Sequence, residues 1–310
     1  MSKNKVFKTL DEQIDILRSK GLCIDDVEEA KAILLRENYF FISGYRHIFM
    51  RDYKENRFIE GTTFKELYAM FRFDRHIRNI FFKYLLIIEN NAKSIISYQM
   101  SRKYGYKEKD YLSLKNYTQD TMKVKQVNDV LNKMKRQIRV NGNKHAATMH
   151  YINNYGYIPM WILVKVLSMG IISELYNILK DDDKNEIAEF FKVSSDDLSI
   201  YLQIIANFRN LCAHEDILYD HRTQRVIPNN IIHYKMNIDI IDNEYEYGKN
   251  DLFALIIILK RLLREEYFKE LMFEIGYEVD ILEGAIDTIP IQAIYRKIGF
   301  PSNWRDIEDI

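Results

Sequence analysis

The sequence predicts a mainly α-helical protein, and three features carry that expectation. Only 4 Pro and 11 Gly interrupt 310 residues, too few for linkers, collagen-like repeats or disordered tails. Apolar residues recur at steps of three and four along several long segments, the period of a helix with one buried face. Capping signals stand before those segments: Asp25 or Asp26, Thr62 or Thr63 with Glu66, and Ser194 or Ser195.

The elements follow in chain order. Residues 10–18 and 27–36 are expected to form a helical hairpin, with Gly21 stopping the first helix. After an aromatic run at residues 38–45, a short β-hairpin is expected from 49–51 and 57–60 around the polar turn 52–56. A long helix opens at the Thr62/Thr63–Glu66 capping box and runs to about Tyr98. Residues 103–144 read as an exposed basic helix inserted between core helices. A strongly apolar helix then starts near Pro159 and runs to about Leu179, ended by Asp181-Asp182-Asp183-Lys184, acids expected to be solvated rather than metal-binding. The next helix buries Leu198, Tyr201, Ile205, Phe208 and Cys212 as one stripe.

These elements divide into an N-terminal segment, 1–60, packed on a helical core, 61–225, with a basic insert at about 102–145, and an acidic, mainly helical C-terminal segment, 226–310. One compact unit is expected. Apolar residues make up 47% of the chain, ample for a large core. Cys23 and Cys212 stand far apart, so neither a disulfide framework nor a zinc knuckle is indicated. The polar start of the chain lacks the apolar core of a secretory signal, and no apolar stretch is long enough for a membrane span. A cytoplasmic protein with no membrane insertion and no cofactor is expected.

Net charge is zero, but its distribution is uneven. Residues 102–139 hold eleven Lys or Arg against four acids, whereas 265–310 hold eleven acids against four bases. The insert reads either as a solvated helix face or as an RNA-binding surface in which Lys123, Lys125, Lys133, Lys135, Arg136 and Arg139 meet phosphates and Tyr104, Tyr106, Tyr111 and Tyr117 stack on bases. The acidic tail is expected to lie near the insert and compete with RNA.

The segment richest in chemistry is Phe208-Arg209-Asn210-Leu211-Cys212-Ala213-His214. Asn210 and His214, four apart, stack opposite the core stripe, and Arg209 lies on its flank. An Arg a few residues before a His is by itself a weak pattern. Arg139 to His145 matches it too, but in a Gly- and Asn-containing loop with no apolar stripe to fix it. Without a further tie, a surface ion pair of Arg209 or His214 with Glu215 or Asp216, or a dimer contact, is the plainer reading.

Five blocks supply that tie. They are Asn38-Tyr39-Phe40-Phe41-Ile42-Ser43-Gly44-Tyr45, Phe73-Asp74-Arg75-His76-Ile77-Arg78, Tyr155-Gly156-Tyr157-Ile158-Pro159-Met160-Trp161, Ser168-Met169-Gly170-Ile171-Ile172-Ser173 and the Phe208–His214 segment. In order and spacing the chain resembles the Abi-like family of AbiD and AbiF abortive-infection proteins, in the HEPN superfamily. The likeness spans roughly residues 10–225. Met169 stands where the family usually has Phe, and the acidic C-terminal segment matches nothing in it.

The resemblance implies a HEPN-type helical bundle and a metal-independent endoribonuclease in which Arg209, Asn210 and His214 are catalytic. It also implies a homodimer that sets two copies of the motif face to face, and a small noncoding RNA that restrains the protein. The residues suit that chemistry. The RNA 2'-OH is its own nucleophile, an imidazole moves protons near neutral pH, and a guanidinium fits phosphate oxygens. Arg75 and Arg78 are weaker RNA-binding candidates, because helix-to-helix salt bridges around Asp74 are the simpler role. Glu89 and Asn90 are expected to be buried hydrogen-bonding partners. A non-catalytic RNA-binding scaffold on the same fold is the main alternative. A metal-dependent enzyme or nucleotidyltransferase lacks its Gly-rich loop, H-E-x-x-H pair or paired Asp motif.

Overall fold

Helix-forming periodicity and caps dominate the molecule, a computed structural model of which describes residues 6–52 and 56–310. Helices α1 (Leu10–Ser19) and α2 (Val27–Glu37) form the expected N-terminal hairpin. Thr9 and Glu12 close a capping box on α1, and Asp26 caps α2. Gly21 turns the chain between them at φ +91°. The aromatic run folds as a short helix, α3 (Tyr39–Gly44). Strands β1 (Met50–Asp52) and β2 (Arg57–Phe58) pair antiparallel, giving the expected hairpin; residues 53–55 of its turn lie outside the described residues.

The spine of the fold is α4 (Phe64–Tyr104). Thr63 and Glu66 cap it reciprocally, and Phe81, Tyr84, Leu85 and Ile88 are wholly buried along it, each worth about 1.5–3 kcal/mol of apolar transfer. It runs past Tyr98 because Arg102 and Lys103 are its last turn, where cations suit the helix carboxyl end; Gly105 ends it at φ +99°. A short helix, α5 (Glu108–Tyr111), follows, and the basic insert forms α6 (Val124–Asn141). Next comes α7 (Ala146–Tyr155).

The apolar run after Pro159 is two helices rather than one, α8 (Met160–Val166) and α9 (Met169–Asn177). Leu167 is extended, and the Ser168 side chain caps the second helix through the Ile171 N–H. A run apolar on every side has no polar face from which period could locate such a break. The three acids do not end that run in a turn but open α10 (Asp181–Phe190), where the helix amino end favours negative charge. Asp183 is buried and bonded to Lys103 and Tyr104 of α4. No group of three or more His, Cys, Asp or Glu suited to a metal ion occurs among the described residues.

Helix α11 (Ser195–Ala213) packs on α4 and α9. Beyond it lie α12 (Ile231–Lys235), a second small hairpin that the sequence reading had not anticipated, β3 (Ile240–Ile241) with β4 (Glu244–Tyr245), and then α13 (Leu252–Leu262), α14 (Glu265–Glu283) and α15 (Ile291–Ile298). Every residue of α13 from Leu252 to Leu259 is buried. The acidic α14 lies against α4 rather than the insert: Glu274 pairs with Lys83, Glu278 with His76, and the Glu66 carboxylate receives the N–H groups of Asp287 and Thr288. Two of the tail's eleven acids, Glu274 and Glu278, are thus paired with the spine. No helix among the described residues is long and apolar enough to cross a membrane.

One buried carboxylate organises the site end of the molecule. Asp74 is fully buried and receives the Tyr45 hydroxyl at 2.7 Å, the Arg78 guanidinium at 2.8 Å and the backbone N–H of Tyr219 at 2.7 Å, with Leu218 N–H at 3.2 Å. Arg78 also donates to the carbonyl of Asp216. Burial pushes the Asp74 carboxyl up, and the Tyr45 hydroxyl, the Arg78 charge and the two N–H groups oppose that rise. Asp74→Ala should therefore cost about 3–5 kcal/mol by leaving Arg78 buried without its counter-charge, and Tyr45→Phe only about 1 kcal/mol. Urea unfolding measures both; equal losses would show that the charge pair does not dominate.

Candidate functional site

The site is built at the carboxyl end of α11. Ser194 caps the helix through the Asp197 N–H at 3.0 Å, and Asp196 and Asp197 complement its first turn. The expected stripe of Leu198, Tyr201, Ile205, Phe208 and Cys212 is buried throughout, which sets the rotation of the helix. Burial pushes the Cys212 thiol up to about 12, making it a core residue rather than a nucleophile.

With that rotation fixed, Gln203, Asn207, Asn210 and His214 fall on the outward face. Asn210 and His214 are exposed, and His214 is the residue that ends the helix, its N–H donating to the Asn210 carbonyl. Glu215 follows in the left-handed region at φ +57°, and the Asp216 N–H returns to the Leu211 carbonyl. This is a Schellman closure made without glycine.

Arg209 leaves the helix on its flank. Its Nε donates to Glu89 of α4 at 3.0 Å, and its guanidinium lies 5.6 Å from the Phe82 ring. Glu89 is buried and also receives Lys93 at 2.6 Å. The partner of Arg209 is thus neither Glu215 nor Asp216 but a carboxylate 120 positions earlier in the chain. Glu89 holds the buried, partnered role expected of it; Asn90 does not, being exposed on the outer side of α4.

The other sequence candidates separate clearly. Arg78 is buried in the Asp74 network and cannot reach RNA, and Arg75 is bound bidentately by Glu37 and lies 4.5 Å from the Phe71 ring. Both serve the scaffold. Lys125, Lys135, Arg136 and Arg139 are exposed on α6, whereas Lys133 is paired with Glu174 of α9. Lys123 and Lys133 line a cleft of about 390 Å³ with Asp129, Glu174, Asn177 and Gln203 of α11, so the insert meets α11 midway along its length. Tyr111 and Tyr117 are wholly buried, with Tyr111 donating to the Ile158 carbonyl and Tyr117 to that of Tyr111; neither can stack on a base. Tyr104 is half-buried on Asp183, and Tyr106 is exposed.

The family model described as Abi-like protein matches residues 32–220, from within α2 to the loop that Asp74 holds behind His214. The chain belongs to the Abi-like protein family. That makes it an abortive-infection protein. No curated protein and no solved structure matches it. Helices α12–α15 of this Abi-like protein lie beyond the match, and yet α14 buttresses the spine that carries Glu89.

A second histidine was not among the sequence candidates. His221 of the Abi-like chain sits 2.7 Å from Asn207 through Nε2 and edge-on to Phe208 at 5.3 Å. It lies in the loop beyond α11, where helical spacing says nothing, and only the polar Asn207 on the outward face hints at a partner. Burial, then the charge of Arg222, holds its imidazole below the usual range. An NMR titration should place the His221 midpoint below about 6.5; one above that value would contradict its half-buried setting. Glu215→Gly removes a Cβ from a left-handed position and should stabilise the fold by roughly 0.5–1 kcal/mol; thermal unfolding reads this out, and a loss of stability would show that the Glu215 side chain matters more than its backbone.

Proposed function

We propose that this abortive-infection protein is a metal-independent endoribonuclease of the HEPN type, with Arg209, Asn210 and His214 as its catalytic group. The observation that carries the reading is the joint exposure of Asn210 and His214 at the end of one rigid helix, beside an Arg209 whose position is set by Glu89. Only the Nε of Arg209 is engaged by Glu89; its two terminal amino groups make no hydrogen bond among the described residues and keep the fork that fits two phosphate oxygens.

In the reaction the 2'-oxygen attacks phosphorus as the bond to the 5'-oxygen breaks, giving a 2',3'-cyclic phosphate and a 5'-hydroxyl. One proton leaves the 2'-OH and one arrives at the departing oxygen. One His214 per chain suits a homodimer in which two α11 ends face each other across a two-fold axis: one His214 takes the first proton, the other delivers the second, and the arginines hold the phosphate charge. The cleft shared by Lys123, Lys133 and Gln203 extends the same face and suits a longer RNA. A small noncoding RNA seated on it would restrain the enzyme until infection.

The Arg209–Glu89 pair also favours a second reading, a non-catalytic RNA-binding scaffold, since a guanidinium already facing a carboxylate has less charge to offer. Cleavage decides between them. Purified protein incubated with total RNA in EDTA should release cyclic-phosphate ends, and His214→Ala should slow this by roughly 10² to 10⁴. Equal products from both forms would remove the catalytic role, and loss of cleavage in EDTA would remove the metal-free mechanism.

A further inference from the structure

Tyr106, at the end of α4, and the Tyr157–Trp161 segment leading into α8 meet at the surface. The Tyr106 ring lies 5.3 Å from Trp161 and 5.8 Å from Tyr157, with Tyr155 and Tyr151 extending the cluster at 6.5 and 5.3 Å. Such rings ordinarily pack inward. Here Tyr155 is 57% exposed, Trp161 42% and Tyr106 38%. The Lys107 ammonium stands 4.6 Å from the Tyr157 ring centre. The platform is fixed from beneath, because the Met160 N–H donates to the Tyr106 carbonyl and Tyr111 to that of Ile158.

Trp161 is also the wall of two adjoining clefts on α4. One is lined by Asn90, Lys93, Ser94, Ser97 and Lys165, the next by Tyr98, Ser101 and Arg102. No acidic residue lines either cleft among the described residues. Lys93 of the first cleft donates to Glu89, which holds Arg209. Partly exposed aromatic rings, the cations Lys107 and Lys165 with no ion pair among the described residues, and a row of hydroxyl and amide groups therefore lie side by side, whereas Lys93 and Arg102 are paired with Glu89 and Glu186.

We propose that Tyr106, Tyr157 and Trp161, with Lys107 and the adjoining cleft, bind a single-stranded stretch of RNA. Its bases stack on the rings while Lys107 and Lys165 take the phosphates. Aromatic stacking accepts any base and requires it unpaired; a duplex presents only its backbone. A peptide could use the rings but would leave the cations unmatched. The choice of RNA rests on the ribonuclease reading above.

The test uses the full chain carrying His214→Ala, so that binding is read without cleavage, and follows the fluorescence anisotropy of an end-labelled oligouridylate. Trp161→Ala should weaken binding about tenfold or more, and Trp161→Phe, which keeps a ring, should hold the parent affinity. An abasic oligoribose phosphate and a duplex of equal length should compete poorly. Trp304, which is buried, reports by its emission that each variant is folded. Parent affinity in folded Trp161→Ala, equal competition by the abasic strand, or no binding by any form would overturn the proposal; a protein partner on this face would give the first of these results. RNA bound through Trp161 by a chain that cleaves nothing would leave this proposal standing and sink the nuclease reading.

Discussion

The geometry of the candidate site depends on a carboxylate that never touches it. Asp74 gathers the Tyr45 hydroxyl, the Arg78 guanidinium and two backbone N–H groups from the loop behind α11. A helix end is otherwise the softest part of a helix, and His214 is the residue at that end. Fastening the chain four residues further on to the most buried point of α4 turns a fraying terminus into a fixed one. Burial of charge is costly unless every lone pair is met, and here the donors come from three separate segments. The carboxylate thus specifies one arrangement of α3, α4 and the loop behind α11 rather than merely adding stability.

What could be read in the sequence followed from local rules. The caps at Thr63, Asp26 and Ser194 and the stripe on α11 are short-range signals, and each fell where period and capping chemistry put it. From that stripe alone Asn210 and His214 had to face outward. The break between α8 and α9 was not legible, because a segment buried on all sides carries no polar face to phase it. The end of α4 was misplaced for the opposite reason: Arg102 and Lys103 looked like the start of a basic insert, whereas their acids, Glu186 and Asp183, come from α10.

Long-range partners were the larger gap. That Glu89 needs a partner follows from its apolar surroundings, but nothing local says that the partner is Arg209. The same holds for Arg75 with Glu37, and for His221 with Asn207. Tyr111 and Tyr117 show how composition misleads. Four tyrosines near lysines suggested stacking, yet two of them are struts whose hydroxyls satisfy buried carbonyls, and the exposed rings at Tyr155 and Trp161 belong to a segment read as a family block and a helix start, not as a stacking surface.

The Arg209–Glu89–Lys93 cluster links the end of α11 to the middle of α4. Glu89 is the only acid in it and accepts from two cations, so the cluster keeps a surplus positive charge at the junction between the end of α11 and the outer groove of α4. Were Glu89 paired with Arg209 alone, the guanidinium would be neutralised and of little use to a phosphate. Sharing the carboxylate with Lys93 leaves Arg209 held in position yet only partly compensated. The guanidinium is thereby oriented by a hydrogen bond already made while its charge is only partly met, which is what the proposed phosphate contact requires. The scaffold and catalytic readings therefore share one ground state, and they part only at His214, whose backbone N–H closes the helix end while its imidazole is exposed.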